Sequence, residues 1–116
     1  MITKVLIVED SPSVRRVIRS LVAPLAEEVQ ECADGAEAFT AYATHRPDFV
    51  LMDIAMGEMD GIAATAQIVT ADPTAKVIIV TSYDGADLRR AAGEAGACGY
   101  VLKDDLLALR SFLHGH

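Results

Sequence analysis

Short apolar runs that stop at polar residues constrain the fold of this chain more than any other feature of its sequence. They span residues 5–8, 49–52, 77–80 and 100–102, and the polar residues that close them are Glu9, Asp10, Asp53, Thr81, Ser82 and Lys103. Such runs are typical of buried strands in a parallel sheet. Because open α/β sheets bind ligands outside the carboxyl ends of their strands, we expect these polar side chains to meet in one crevice.

Helical segments alternate with the apolar runs. Ser11-Pro12 predicts a helix start and a first helix over about 12–24, and Asp34 with Glu37 predicts a capped second helix to about 45. Further helices are predicted near 62–71, 86–95 and 104–113, with a weaker edge strand at 29–32. Five strand–helix repeats predict a doubly wound parallel sheet with helices on both faces, for which the strand order 2-1-3-4-5 is one of few choices.

Size and charge exclude several classes of protein. The 116 residues fit one domain, and no aliphatic run approaches the roughly 20 residues that a membrane span requires. The N-terminus lacks a signal-peptide pattern, so we expect a cytoplasmic protein that has no membrane partner. A net charge of −7 argues against nucleic acid as a direct partner, since phosphate groups require a basic surface.

The three carboxylates predict a cation site. Two unit charges about 4 Å apart repel by roughly 4 kcal/mol at an effective dielectric near 20, so a cluster of three needs neutralisation. Lys103 supplies part of it, and Mg²⁺ suits the remainder because it takes few protein carboxylates and leaves positions for phosphate oxygens. Asp53 would lie on the central strand between the other acids and Lys103, where an aspartate nucleophile can accept a phosphoryl group.

Five motifs in order resemble the receiver domain of two-component response regulators. They read VLIVEDSPSVRR, ADGAEA, RPDFVLMDIAMGEMDG, KVIIVTS and GACGYVLK, and the resemblance covers essentially the whole chain. The resemblance implies a flavodoxin-like fold. It also implies a stand-alone, chemotaxis-regulator-like domain over residues 1–116 without an output domain, because few residues follow the last predicted helix.

The same resemblance assigns roles to individual residues. Asp53 would be the phosphoacceptor, with Lys103 and Thr81 assisting it and Thr81 and Tyr100 forming the conformational switch. Mg²⁺ would be held by Asp10, by Asp53, by the backbone carbonyl of Ala55 and, mostly through water, by Glu9. The phosphoryl donor would be a histidine kinase or a histidine phosphotransfer protein.

The resemblance also implies how the signal leaves the molecule. An unknown downstream protein would read the face formed by the fourth helix, the fifth strand and the fifth helix. The protein would be a monomer or a phosphorylation-dependent dimer. It would not be a conventional enzyme, although it would assist its own phosphorylation and dephosphorylation.

Two positions depart from the family pattern. Gly57 and Asp104 stand where proline is usual, so the loop beside the acceptor could be looser, and we expect a trans bond before Asp104. The first predicted helix carries three arginines, Arg15, Arg16 and Arg19. They predict either a solvated helix face or a surface that binds an acidic partner.

Three alternatives stay open at this point. A docking module of the same fold would never use the phosphorylation site. A phosphatase with an aspartyl nucleophile would commonly carry a second acid two residues after Asp53, but that position is Ala55. A flavin carrier would need a Gly-rich, hydroxyl-rich first loop, whereas the loop here begins with Glu9 and Asp10.

Overall fold

A computed structural model describes residues 2–55 and 60–114, and for residues 2, 3 and 114 it describes the backbone alone. Five parallel strands form one sheet in the order β2-β1-β3-β4-β5. They are β1 (Ile2–Val8), β2 (Ala26–Cys32), β3 (Phe49–Met52), β4 (Val77–Thr81) and β5 (Gly99–Leu102). This arrangement confirms the predicted flavodoxin-like α/β fold.

Within residues 2–55 and 60–114, five α-helices connect and follow the strands. They are α1 (Pro12–Val22), α2 (Gly35–His45), α3 (Gly61–Ala71), α4 (Ala86–Ala95) and α5 (Ala108–His114). The predicted N-caps are confirmed, because the Ser11 hydroxyl accepts from the Val14 N–H and the Asp34 carboxylate accepts from the Glu37 N–H.

The structure corrects three predicted boundaries. Helix α1 ends at Val22 and a short 3₁₀ turn, Ala23–Leu25, follows it, because Pro24 has no N–H to continue the α-helix. Strand β2 therefore begins at Ala26, earlier than predicted, and pairs with β1 from Ile2 to Val8. The last predicted helix divides into a 3₁₀ turn, Lys103–Asp105, and α5.

The sheet separates two apolar layers because successive strand residues point to opposite faces. On one face, Val5, Ile7 and Leu51 pack with residues of α1 and α5. On the other face, Leu6, Val8 and other alternate residues pack with α2, α3 and α4. Among the described helices, none has both the length and the apolar character that crossing a bilayer would require.

Candidate functional site

Two neighbouring strands deliver three carboxylates to one point. Glu9 and Asp10 directly follow β1, and Asp53 directly follows β3, which pairs with β1 up to Val8 and Met52. The Asp53 N–H donates to the Val8 carbonyl at 3.0 Å, so the two strand ends stay in register. One carboxylate oxygen from each of the three acids lies within 4.8 Å of the others.

The three acids differ sharply in exposure. Glu9 and Asp53 are only 1% and 3% exposed, whereas Asp10 is exposed at the open side of the cluster. An incoming ion or phosphoryl group would therefore approach past Asp10. Burial places the other two carboxylates where water screens their repulsion least.

Lys103 bridges the two buried acids. Its Nζ lies 2.7 Å from Glu9 Oε1 and 3.3 Å from Asp53 Oδ2, and its side chain is 20% exposed. Burial opposes the ammonium charge, but the hydrogen bond to Glu9 and the charges of Asp53 and Glu9 outweigh it. The pKa of Lys103 is therefore raised, and Lys103 carries a full positive charge near neutral pH.

The carboxylate of Glu9 is already engaged. Its Oε1 pairs with Lys103, and its Oε2 accepts the Ser11 N–H at 3.1 Å. Burial raises the pKa of Glu9, and the bonds from Lys103 and Ser11 oppose this rise. A metal ion at Glu9 would therefore compete with the Lys103 ammonium for Oε1 and with the Ser11 N–H for Oε2.

The donor set fits Mg²⁺. The cluster offers three carboxylate oxygens, which hard dications prefer, and one of the three acids, Asp10, is exposed to solvent. Ala55, whose carbonyl the sequence analysis added to the ligands, is an exposed residue two positions after Asp53. Gly57 lies outside the described residues. The peptide bond between Lys103 and Asp104 is trans, as predicted.

Thr81 and Tyr100 both form hydrogen bonds with the backbone of Tyr83. The fully buried Thr81 side chain accepts the Tyr83 N–H at 3.3 Å. The Tyr100 hydroxyl donates to the Tyr83 carbonyl at 2.7 Å, and the Arg89 guanidinium lies 4.5 Å from the centre of the Tyr100 ring. The loop after β4 thus connects the two predicted switch residues, a connection that their separation in sequence did not reveal.

Two further contacts escaped the sequence analysis. Arg15 does not belong to a solvated face, because its Nη1 donates to the Glu9 carbonyl at 2.7 Å and its Nε to Glu31 at 3.2 Å. Gly61 lies against the backbone of Asp53. Gly61 is the last residue of the motif RPDFVLMDIAMGEMDG, but no signal in the sequence linked Arg15 to Glu9.

Known proteins of one family are similar to this chain. The sequence profile of the family described as "Response regulator receiver domain" matches residues 5–112. A chemotaxis protein CheY of Halobacterium salinarum is 38% identical over 103 residues, which are 89% of this chain and 86% of that protein. The transcriptional regulatory protein LnrK of Bacillus subtilis is 38% identical over 87% of this chain, which spans about half of that protein (47%).

A solved structure gives the same result for the fold. The crystal structure of a two-component response regulator of the LuxR family from an Aurantimonas species superposes with a TM-score of 0.87 at 32% identity. The match covers 100% of this chain and 88% of that one. The similarity therefore extends over the whole sheet and all of its helices.

Proposed function

The chain belongs to the family of response regulator receiver domains, which serve phosphorylation-based signalling, and on that premise we propose that Asp53 is its phosphoacceptor. The observation that carries the proposal is the position of Asp53. Its carboxylate lies 3.3 Å from the Lys103 ammonium and beside Asp10 in one acidic cluster. A cation on one side and an ammonium on the other are what phosphoryl transfer to a carboxylate requires.

The transfer uses few groups. An Asp53 oxygen attacks the phosphorus of a phosphohistidine, the O–P bond forms, the N–P bond breaks, and the imidazole of the donor keeps the electron pair and takes a proton. Lys103 stabilises the charge on the phosphoryl oxygens. Asp10, Asp53 and the Ala55 carbonyl would hold Mg²⁺, and Glu9 would act mostly through water. When bound, Mg²⁺ supplies positive charge to the transferred group.

Phosphorylation would then bias the loop after β4. The Thr81 hydroxyl turns towards the phosphoryl oxygens and gives up the hydrogen bond that it accepts from the Tyr83 N–H in this structure. The Tyr83 carbonyl also accepts a hydrogen bond from the Tyr100 hydroxyl. Loss of the Thr81 bond therefore lets Tyr100 move and changes the face formed by α4, β5 and α5. Such a change shifts a two-state equilibrium, and it does not require a new fold.

Receiver domains interact with histidine kinases or phosphotransfer proteins and with downstream targets. For this chain we propose a donor of that class and a protein target that reads the changed face. Four further properties stay predictions: action as a stand-alone domain, assistance with its own dephosphorylation, a phosphorylation-dependent dimer and a cytoplasmic location.

Incubation with Mg²⁺ and acetyl phosphate tests the assignment. We expect intact-mass spectrometry to show one added phosphoryl group, which Asp53→Asn abolishes because the amide is a poor nucleophile. Asp87→Asn is the matched control, since that side chain is 98% exposed. A phosphoryl group that persists in Asp53→Asn would contradict the proposal. A wild-type chain that binds no Mg²⁺ and gains no phosphoryl group would point to the docking module.

A further inference from the structure

The backbone of Glu9 is fixed from both sides. Its N–H donates to the Cys32 carbonyl at 3.1 Å, and its carbonyl accepts the Arg15 guanidinium at 2.7 Å. The Glu9 carbonyl belongs to the peptide unit that joins Glu9 to Asp10. The direction in which Asp10 leaves the end of β1 therefore depends on this second bond.

Arg15 is held in turn by Glu31. Its Nε donates to Glu31 Oε1 at 3.2 Å, and Arg19 from the next turn of α1 pairs with the other oxygen of the same carboxylate. The side chains of Arg15 and Glu31 are only 21% and 29% exposed. Glu31 lies on the edge strand β2, where it is paired with Ile7 of β1. A connected path thus runs from the sheet edge to the acidic pair.

We propose that Arg15 is a positioning residue, which orients the Glu9–Asp10 peptide so that the Asp10 carboxylate faces Asp53, and that Glu31 orients Arg15. The inference rests on the proposed function, because it concerns the Mg²⁺ site of that function. A guanidinium suits this role, since its rigid fork donates to a carbonyl and a carboxylate at once. The ammonium of a lysine would engage one of the two partners well.

A purely electrostatic role predicts the opposite effect. Arg15 carries a positive charge close to an acidic cluster, so removal of that charge alone should strengthen Mg²⁺ binding. If Arg15 positions Asp10, its removal weakens Mg²⁺ binding although a repelling charge is lost. The sign of the change therefore separates the two roles.

Isothermal titration calorimetry with MgCl₂ on the complete chain measures that sign. We expect Arg15→Gln to weaken Mg²⁺ binding by about tenfold, the loss typical when a group supporting a metal ligand is removed. Arg16→Gln is the matched control, because it removes the same charge from the next, exposed residue of α1. It should change the affinity less than about twofold, as expected for an exposed charge screened by salt.

Two additional measurements keep the test decisive if Arg15→Gln folds poorly, because both include Arg15→Lys, which preserves the charge. Arg15→Lys keeps the positive charge but engages only one of the two partners well, so it should still weaken Mg²⁺ binding, and Glu31→Ala should weaken it as well. The NMR order parameter of the Asp10 amide in Mg²⁺-free protein should fall in Arg15→Gln and Arg15→Lys and stay unchanged in Arg16→Gln.

The outcomes distinguish this inference from the proposed function. If the wild-type chain binds Mg²⁺ and Arg15→Gln binds it equally or more tightly, Arg15 does not position Asp10, and the phosphoacceptor assignment stands. An unchanged Asp10 order parameter in both Arg15 variants also overturns the inference. A wild-type chain that binds no Mg²⁺ overturns both proposals.

Discussion

At the scale of single residues, Gly61 shows how tightly the site is built. A Cβ atom at this position would lie 1.8 Å from the Asp53 carbonyl oxygen and 2.7 Å from its carbon. The Gly61 N–H also donates to the Ile54 carbonyl at 2.9 Å. Glycine is required here by close approach of two backbones, and the start of α3 thereby sets the position of Asp53.

Gly61→Ala should destabilise the protein and slow phosphorylation of Asp53. The methyl group must push α3 or the end of β3 away, and overpacking of this kind typically costs about 1–3 kcal/mol or more in unfolding free energy. Urea unfolding and the rate of mass gain with acetyl phosphate measure the two effects.

Gly93→Ala is the matched control for this prediction. Gly93 lies inside α4, and a Cβ there would meet nothing within 4 Å, so alanine should stabilise the helix by about 0.5–1 kcal/mol. Equal unfolding curves for the two variants would show that close packing at Gly61 does not matter.

At the scale of secondary-structure elements, one side-chain contact ties α2 to the end of α3. The Tyr42 hydroxyl donates to Asp72 Oδ2 at 2.6 Å, and Thr74 donates to Oδ1 of the same carboxylate from its hydroxyl at 2.6 Å. Burial and the bond to Asp72 raise the pKa of Tyr42 to about 12. The bonds from Thr74 and Tyr42 lower the pKa of Asp72 to about 2.

These shifts set a pH window for the contact. The lowered pKa of Asp72 means that its contribution to stability is full above its usual value of 3.8 and is lost as the pH falls towards about 2. The raised pKa of Tyr42 means that its contribution is full below its usual value of 10.0 and is lost as the pH rises through about 12.

Tyr42→Phe should therefore lower the melting temperature near neutral pH, and the difference from wild type should shrink as the pH approaches about 2. Calorimetric melts across this range measure it. Tyr83→Phe is the matched control, because Tyr83 is 54% exposed. Loss of its hydroxyl should leave the melting temperature unchanged at every pH. A Tyr42→Phe effect of constant size down to the lowest pH would exclude the Asp72 partner.

At the scale of the whole molecule, topology and charge act together. In the order β2-β1-β3-β4-β5, the chain adds β2 on one side of β1 and the later strands on its other side, so the switch point lies between the parallel strands β1 and β3. The acidic cluster lies at the carboxyl ends of these two strands. The chain carries a net charge of −7, and the fold brings three of its carboxylates together. A dication bound there should stabilise the folded state as a whole.

Mg²⁺ should therefore raise the melting temperature more than KCl at equal ionic strength. Binding to the folded state alone adds about 2.7 kcal/mol at a concentration one hundred times Kd. Asp10→Asn should remove the Mg²⁺ effect and slightly stabilise the metal-free protein, because it relieves repulsion, whereas Asp87→Asn should keep it. A Mg²⁺ effect that survives in Asp10→Asn would place the ion elsewhere.

The sequence by itself determined the elements and their order along the chain. Apolar runs of strand length, the caps at Ser11 and Asp34, and the alternation of helix and strand are local signals, which neighbouring residues decide. The rule that parallel strands bind ligands at their carboxyl ends then placed Glu9, Asp10 and Asp53 in one crevice.

Only the tertiary structure decided how that crevice works. Glu9 is buried and Asp10 exposed although they are adjacent, because β2 and Lys103 approach from distant parts of the chain. The bond from Arg15 to the Glu9 carbonyl and the contact of Gly61 with Asp53 likewise join residues that no local pattern relates. Burial, charge pairing and close approach are set by packing between elements, so they became visible only when the sheet and its helices were assembled.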